Sequence, residues 1–232
     1  MAEKILPLGP FQRFGILGGS FNPVHVGHLS IAQQVLAACK LQRVFLMPAA
    51  ANPHKLADRG MASAEDRLAM CRLAVQNMHG LAVSDLELRR SGPSYTVDTA
   101  QILRKAYGPD AEIRFLIGSD TLLDLPKWKN VQDLLKLADF AVANRREAPL
   151  KEQLWERLRA ALGADRPEFE KLRRSVVPIE PVDVSATQIR RLLREGERLP
   201  GYLRKDVEAY IRRKLLYGAP PQATRGRRIV SR

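Results

Sequence analysis

Short apolar runs alternate with longer amphipathic segments along most of the chain. The runs are rich in β-branched and aromatic residues and end near Gly, Pro, Asp or Asn, which is typical of buried strands. The pattern predicts strands at Arg13–Leu17, Arg43–Pro48, Leu81–Asp85, Glu112–Gly118, Phe140–Ala143 and Ser175–Ile179.

The segments between these runs have the spacing of helices. Leucines recur every four residues from Leu150 to Leu162, and Leu29 to Ala38 is also helical in pattern. Ser63, with Asp66 three residues on, predicts a capped helix that runs to about Met78. A further apolar stripe on a basic helix consists of Leu203, Val207, Tyr210, Ile211 and Leu215.

Strands separated by helices indicate an α/β fold with a mostly parallel sheet that has helices on both faces. We predict a single domain over residues 1–217, because no second unit of independent size is visible. The sequence Gly218-Ala219-Pro220-Pro221 cannot continue a helix, so residues 218–232 are predicted to be a basic C-terminal tail.

Composition favours a globular enzyme that needs no disulfide or structural metal. A chain of 232 residues with 45% hydrophobic content can bury a sizeable core. Cys39 and Cys71 lie in apolar, helix-like surroundings and are interpreted as reduced core residues. Since no apolar stretch reaches membrane-spanning length and the first ten residues do not resemble a secretory signal, we expect a cytoplasmic protein without a membrane partner.

The net charge is +13, which suits a polyanionic partner. A nucleoside triphosphate, a nucleic acid and an anionic surface would all fit, and so would a solvated basic face with a disordered tail. Charge alone does not distinguish these alternatives.

The strongest candidate site follows the first predicted strand. Gly18 and Gly19 allow a phosphate to approach the backbone closely, and Gly27 leaves room between His25 and His28. The segment leads into a helix, whose first N–H groups and dipole favour anions. A polyphosphate site is predicted here.

Two other interpretations of these histidines stay open. His25, His28 and His54 could bind a metal, but the motif contains no acidic residue to act on metal-bound water, which makes this the weaker hypothesis. Either histidine could also be a hydrogen-bonded structural residue.

The motif His25-Val26-Gly27-His28 resembles the His-x-Gly-His mark of the cytidylyl- and adenylyltransferase superfamily. A second mark of that superfamily, Ser-x-Thr-x-x-Arg, is matched by Ser185, Thr187 and Arg190 at a predicted helix start. The simpler alternative is that Ser185 or Thr187 only caps this helix. The resemblance implies a Rossmann-like domain that binds a triphosphate.

Within the superfamily, the chain from about Arg13 to Leu216 is similar to the bacterial nicotinate mononucleotide adenylyltransferase family. Two departures stand out: Asn22 where many members have Asp, and Lys129 where many have Tyr. The matching segments are Gly18–His25, Asn52–Lys55, Pro93–Thr99, Phe115–Asp120 and Leu125–Trp128.

The resemblance implies transfer of AMP from ATP to nicotinate mononucleotide, which forms nicotinate adenine dinucleotide and pyrophosphate in NAD biosynthesis. It implies Mg²⁺ carried on the ATP phosphates, with no metal ligand from the protein. The implied catalytic residues are His25, His28, Lys55 and Arg190. The implied ATP-binding residues are Gly18, Gly19, Ser20, Phe21, Gly118, Asp120, Ser185 and Thr187. The implied mononucleotide-binding residues are Asn52, His54, Ser94, Tyr95, Thr96 and Trp128.

Several of these residue types suit the implied roles on chemical grounds. The flat face of Trp128 could stack on a pyridine ring, although a core anchor is the alternative. The segment Ser94–Thr96 is interpreted first as a helix N-cap whose N–H groups would also suit a small carboxylate. Asp120 could accept hydrogen bonds from ribose hydroxyls, with a helix cap as its alternative, and Lys55 offers a point charge for phosphates.

Two further functions remain possible from the sequence. Another phosphate acceptor such as phosphopantetheine fits the two nucleotide motifs but leaves Trp128 and Ser94–Thr96 without a role. A nucleic-acid-binding module fits the basic charge, but no zinc-finger spacing, helix-turn-helix pattern or aromatic-rich strand supports it. A P-loop is disfavoured because Gly-Lys-Ser/Thr does not occur.

Overall fold

The structure of the chain is a computed structural model that describes residues 11–50, 60–163 and 167–220. Its centre is a six-stranded sheet in which all described strands are parallel, in the order β3-β2-β1-β4-β5-β6. In the register of the sheet, Ile16 pairs with Phe45 on one side and with Phe115 on the other. The strands are β1 (Arg13–Gly19), β2 (Arg43–Pro48), β3 (Leu81–Val83), β4 (Glu112–Gly118), β5 (Asp139–Arg145) and β6 (Val176–Ile179).

Helices connect the strands, as the alternation of patterns predicts. The described helices are α1 (Val26–Ala38), α2 (Ala64–Val75), α3 (Thr96–Tyr107), α4 (Ser119–Leu122), α5 (Val131–Leu137), α6 (Glu152–Leu162), α7 (Pro167–Arg173), α8 (Ala186–Arg194) and α9 (Lys205–Arg213). Short 3₁₀ turns occur at Leu125–Lys127 and Leu216–Gly218.

The sheet separates two hydrophobic cores, because alternate side chains of a strand point to opposite faces. Phe14 and Ile16 of β1 pack with residues of α3, α5, α6 and α7 on one face. Leu17 of β1 packs with residues of α1, α2, α8 and α9 on the other face. The predicted α/β fold, with helices on both faces of a parallel sheet, is confirmed.

The strand order reverses direction between β1 and β4, which are adjacent. From this pair the chain proceeds to β2 and β3 on one side and to β5 and β6 on the other. Ligands of such sheets bind at this switch point, beyond the carboxyl ends of the strands. Gly18, Gly19 and Gly118 all lie at this edge.

Some predicted boundaries differ from the structure. The helix that begins after Ser63 is capped as expected, with the Ser63 hydroxyl accepting from the Asp66 N–H at 3.0 Å, but it ends at Val75 rather than Met78. Gln76 has extended backbone and Asn77 a positive φ of 61°, so the helix cannot continue through them. The third strand likewise ends at Val83, before the predicted Asp85.

Both cysteines are free. Cys71 is buried inside α2 as predicted, whereas Cys39 is half-buried and ends α1 rather than lying within it. The interpretation of Cys39 as a helix-interior residue was wrong, because the chain leaves the helix at Lys40, whose φ is positive.

The C-terminal part of the described chain packs against the domain. Ala219 is 3% exposed and belongs to the same core as α1 and α2, while residues 221–232 lie outside the described residues. The start of the tail at residue 218 stays a prediction. Among the described helices, none combines the length and the apolar character needed to cross a membrane.

Candidate active site

The loop between β1 and α1 forms the centre of the candidate site. Phe21 takes a left-handed backbone with φ of 46°, and the Asn22–Pro23 peptide bond is cis. The loop ends at His25, the N-cap residue of α1, so that His28 follows in the first turn of the helix.

The two imidazoles lie against each other. Their ring centroids are 3.7 Å apart and the ring planes are inclined by 27°. The His25 backbone N–H donates to Nδ1 of His28 at 3.2 Å. Since Nδ1 accepts this bond, the proton of a neutral His28 is on Nε2, which makes Nε2 a donor.

His25 is a buried neutral imidazole. The residue is 9% exposed, and burial lowers the pKa of its imidazole to about 4. Nδ1 of His25 has no hydrogen-bond partner among the described residues. At neutral pH this ring can therefore act as a hydrogen-bond donor but carries no charge.

Gly27 and Gly18 differ in how much space their surroundings leave for a side chain. A Cβ at Gly27 would lie 3.1 Å from Nδ1 of His25 and 3.0 Å from Cγ1 of Val184, so close packing of the imidazole requires glycine there. A Cβ at Gly18 would meet nothing within 4 Å. Within the described residues, the space beside Gly18 is therefore open to a ligand.

The helix start offers fewer donors than the sequence suggests. The Val26 N–H, the first of α1, donates to the carbonyl of Tyr202 at 3.0 Å. Of the first N–H groups of α1, which were predicted to favour an anion, this one is therefore already engaged, because the segment before α9 packs across the helix start.

Arg190 reaches the same loop from the other end of the chain. Its Nη1 donates to the Asn22 carbonyl at 2.8 Å, and its Nη2 lies 3.5 Å from the Thr187 hydroxyl. The Ser185 hydroxyl accepts from the Gln188 N–H at 3.1 Å, so Ser185 does cap α8. Both Ser185 and Thr187 remain exposed at the start of this helix.

The Asn22 side chain joins three segments of the chain. Its Oδ1 accepts from the Ala62 N–H at 3.0 Å and from the Tyr217 hydroxyl at 2.8 Å. Burial raises the pKa of Tyr217, so this hydroxyl is protonated and donates at neutral pH. Sequence reasoning missed Tyr217, since nothing local relates it to a loop 195 residues earlier.

Arg67 is a second residue that sequence reasoning missed. It is fully buried on the inner face of α2, in the apolar stripe that continues with Met70, Cys71 and Ala74. A charged residue at an apolar position of a helix was the available signal.

Lys129, which directly follows the predicted mononucleotide residue Trp128, contacts another predicted mononucleotide residue, Tyr95. The Lys129 Nζ lies 4.5 Å from the centroid of the Tyr95 ring and 3.3 Å from Oδ1 of Asp98. Lys129, the departure from the family pattern, is thus held by a ring and a carboxylate at the start of α3.

The segment Ser94–Thr96 does contain the start of α3, as interpreted, but the Ser94 side chain does not cap the helix. Tyr95 is the N-cap residue, and no side chain caps this helix. The Ser94 hydroxyl instead accepts from the Ala50 N–H at 3.0 Å, which ties the segment to the loop after β2. The backbone at Thr96 therefore begins a helix whose N-terminus carries no side-chain cap.

Trp128 is half-buried, with its ring 6.4 Å from that of Phe140 and inclined by 59°. It packs against the core and also keeps exposed surface, so the core-anchor and stacking interpretations are compatible. Asp120 is exposed in α4, directly after β4, and Gly118 rather than Asp120 is the N-cap residue there.

Some predicted site residues cannot be placed. Asn52, His54 and Lys55 lie outside the described residues. Elsewhere in the described chain, no three His, Cys, Asp or Glu side chains are grouped so that they could hold a metal ion.

Comparison with known proteins gives the family. A cytidylyltransferase-like family model matches residues 16–192. A curated protein of Synechococcus sp. (strain JA-3-3Ab), named a probable nicotinate-nucleotide adenylyltransferase, is 39% identical over 209 residues, which cover 90% of this chain and 96% of the relative. The chain belongs to the nicotinate-nucleotide adenylyltransferase family. A relative of the same name from Chromobacterium violaceum is 39% identical over 88% of this chain.

Solved structures share the fold of this adenylyltransferase family member. The nicotinic acid mononucleotide adenylyltransferase of Plasmodium falciparum complexed with NaAD superposes with a TM-score of 0.69 at 17% identity, over 89% of this chain and 98% of that chain. The same enzyme complexed with APC gives a TM-score of 0.68 at 16% identity.

Proposed function

We propose that the chain transfers AMP from ATP to nicotinate mononucleotide and releases nicotinate adenine dinucleotide and pyrophosphate, a reaction of NAD biosynthesis. Family membership supports this reaction, and the arrangement of the site supplies the means for it. The acceptor phosphate is anionic at neutral pH, so the reaction requires no general base.

One contact carries the proposal: the hydrogen bond between Arg190 and the Asn22 carbonyl. It joins two motifs that are 168 residues apart in sequence, and it brings a guanidinium to the loop that ends in the two imidazoles. A site that combines imidazole donors with a guanidinium suits a triphosphate better than a neutral ligand.

The chemical step is a displacement at the α-phosphorus of ATP. An oxygen of the mononucleotide phosphate forms a bond to this phosphorus, the bond to the β-phosphate oxygen breaks, and pyrophosphate leaves with the bonding electrons. Catalysis then depends on alignment of the two phosphates and on donors to the oxygens where charge develops.

We assign the donors to His25 and His28. His28 offers Nε2–H because its Nδ1 is occupied by the His25 N–H, and this bond also fixes the orientation of its ring. His25 is held by packing against Gly27 and is neutral. Arg190, together with Lys55 from outside the described residues, is proposed to bind the anionic oxygens.

The remaining ATP contacts follow from position. Gly18 and Gly19 end β1 beside the open space, Ser20 and Phe21 begin the following loop, and Ser185 and Thr187 lie at the start of the helix that carries Arg190. Across the switch point, Gly118 and Asp120 are proposed to face the nucleoside.

Mg²⁺ is proposed to bind on the phosphate oxygens of ATP. Arg190 brings only nitrogen donors to the His25 loop, the Tyr217 hydroxyl is engaged with Asn22, and Oδ1 of Asn22 already accepts two hydrogen bonds, whereas Mg²⁺ prefers oxygen ligands. When bound, the ion would neutralise part of the charge on the triphosphate.

The mononucleotide is proposed to bind between the start of α3 and the segment Leu125–Trp128. The N-terminus of α3, without a side-chain cap, suits the nicotinate carboxylate, and the exposed surface of Trp128 suits its ring. Ser94, Tyr95 and Thr96, with Asn52 and His54, complete this proposed pocket.

The test is an acceptor comparison with the full chain, ATP and Mg²⁺. Nicotinate mononucleotide, nicotinamide mononucleotide and phosphopantetheine are supplied in parallel, and pyrophosphate and the dinucleotide are measured. We expect dinucleotide from the nicotinate substrate, with a kcat/KM at least ~10-fold above that of the amide, because the amide lacks the charge that a helix N-terminus favours. Pyrophosphate release with phosphopantetheine alone would contradict the proposal.

A further inference from the structure

Arg67 connects three loops of the candidate site from inside the protein. Its Nη1 donates to the Ser20 carbonyl at 2.8 Å, its Nη2 to the Ala49 carbonyl at 2.8 Å, and its Nε to the Ala62 carbonyl at 3.2 Å. These acceptors belong to the loops after β1 and β2 and to the segment before α2. The side chain is 2% exposed, so a ligand cannot reach it directly.

Within residues 11–50, 60–163 and 167–220, the guanidinium of Arg67 has no carboxylate partner. Among the described residues none of the ion pairs includes Arg67, and the bonded acceptors are all backbone carbonyls. Burial lowers the pKa of Arg67, although an arginine remains charged at neutral pH. Carbonyl dipoles balance a buried cation only in part.

Nearby carboxylates are engaged elsewhere. Asp66, the preceding residue, accepts from the Tyr210 hydroxyl at 2.7 Å and from the Ser63 hydroxyl at 3.0 Å. The Glu65 charge raises the pKa of Arg67, but this effect is smaller than that of burial, which lowers it. As far as the described residues go, the positive charge behind Ser20 is therefore largely uncompensated by carboxylates.

Alignment of β1 and β2 does not by itself require Arg67. The Ala49 N–H already donates to the Gly19 carbonyl at 3.0 Å and continues the pairing of the two strands. Arg67 additionally binds the Ser20 carbonyl. Ser20 directly precedes Phe21, which has a left-handed backbone. Charged donors make stronger hydrogen bonds than neutral ones, and bonds in a buried site are little weakened by water.

We propose that Arg67 is a positioning residue of the ATP site, which fixes the Ser20 loop for the triphosphate and whose buried charge the bound phosphates compensate. This inference rests on the proposed function, because it assumes that ATP binds beside the loop. It predicts that Arg67 matters more as a ligand carries more phosphates.

The experiment measures dissociation constants of adenosine, AMP, ADP and ATP with Mg²⁺ for the full chain by calorimetry. Arg67→Lys keeps the charge but not the fork of donors, and Arg67→Gln removes the charge. For Arg67→Lys we expect about a 5-fold weaker ATP complex, and for Arg67→Gln about 30-fold or more, with adenosine changed less than ~2-fold in both.

Arg72→Gln is the matched control on the same helix. The Arg72 side chain is 64% exposed and lies 3.9 Å from Asp85, so we expect unchanged affinities. If Arg67→Gln does not fold, the Arg67→Lys variant alone is used. Weaker binding of ATP without weaker binding of adenosine then supports the inference. Equal losses of affinity for adenosine and ATP, or no loss of ATP affinity in either variant, would overturn the inference.

These results are separable from those of the acceptor comparison. Transfer to nicotinate mononucleotide by the wild type together with equal losses in the Arg67 variants would refute this inference alone. A graded loss of ATP affinity without transfer to the mononucleotide would refute the proposed acceptor and support the role of Arg67.

Discussion

At the scale of single residues, His25 and His28 share a motif but differ in environment. His28 is half-buried and its Nδ1 is occupied, whereas His25 is buried and its Nδ1 has no partner within the described chain. The sequence predicts that the two histidines lie close together. It does not predict their different burial or the different state of their Nδ1 atoms, because these depend on how the loop folds.

Replacement of His28 by Ala is expected to lower kcat by ~10²-fold or more, with a modest change in ATP affinity, since a transition-state donor is lost. Steady-state kinetics with nicotinate mononucleotide measures this. His28→Asn tests whether restoring an acceptor for the His25 N–H, without the imidazole donor, leaves the defect in place.

The exposed His79 is the control for this experiment, because it stands before β3, far along the chain from the motif. His79→Ala should retain kcat within about 2-fold. Near-normal turnover in His28→Ala would contradict the role assigned to His28.

His25 predicts a pH dependence of stability. Its folded pKa, lowered to about 4 by burial, lies below the unfolded value of 6.5. Between these values the unfolded state binds a proton that the folded state does not, so the contribution to stability is full above about pH 6.5 and declines as the pH falls toward 4.

Urea unfolding at pH 7 and pH 4.5 of the wild type and of His25→Gln measures this effect. The wild type should lose about 2 kcal/mol more than the variant on acidification, because the variant lacks the titrating ring. Carboxylates contribute equally to both proteins, so the difference isolates residue 25. If the wild type and His25→Gln lost the same free energy of unfolding on acidification, His25 would not be held neutral by burial.

At the scale of elements, the site is assembled from strand ends and helix starts that the hydrophobic pattern largely predicts. All six strand patterns correspond to strands of the sheet, and the Ser185 motif does stand at the start of α8. The failures occur at element ends, such as Met78 and Asp85, which lie beyond the polar residues that follow Val75 and Val83, where backbone geometry and pairing stop.

Helix α8 supports a prediction with an internal control, because adjacent arginines on a helix point in different directions. Arg190 contacts the Asn22 carbonyl, while Arg191 is 58% exposed and lies 3.6 Å from Glu195. Arg190→Gln should lower kcat/KM for ATP by about 10-fold or more, because a charged donor at the phosphate site is lost.

Arg191→Gln changes the net charge of the chain by the same amount. Its kcat/KM for ATP should stay within about 2-fold of the wild-type value. Initial rates at varied ATP and saturating nicotinate mononucleotide test both variants. Similar losses in the two variants would indicate a general effect of charge rather than a site at Arg190.

At the scale of the whole molecule, the end of the described chain stabilises its beginning. The Tyr217 hydroxyl donates to Oδ1 of Asn22, and the Tyr202 carbonyl accepts from the Val26 N–H. The loop that carries the motif thus depends on a C-terminal segment that contributes no residue to the family's two motifs.

Tyr217→Phe is therefore expected to lower the free energy of unfolding by about 1 kcal/mol, because the buried Asn22 oxygen loses one of its donors. Urea denaturation measures the change, and ATP affinity should fall with it. Tyr107→Phe is the control: its hydroxyl is buried without a partner in the described part of the chain, so its removal should be neutral or stabilising. A larger cost for Tyr107→Phe than for Tyr217→Phe would contradict this view.

The sequence by itself determined the α/β class, the strands, several of the helices and the two motifs, because these are set by local periodicity and by residue types at fixed spacing. It also indicated that the motifs belong to one site, through their resemblance to a family. Tertiary structure alone decided that Arg67 lies beneath the Ser20 loop, that Tyr217 bonds to Asn22, and that Ser94 faces Ala50 instead of capping α3. Each of these contacts joins segments distant in sequence, and the packing of helices on the sheet, not any local pattern, determines which carbonyl or hydroxyl a side chain meets.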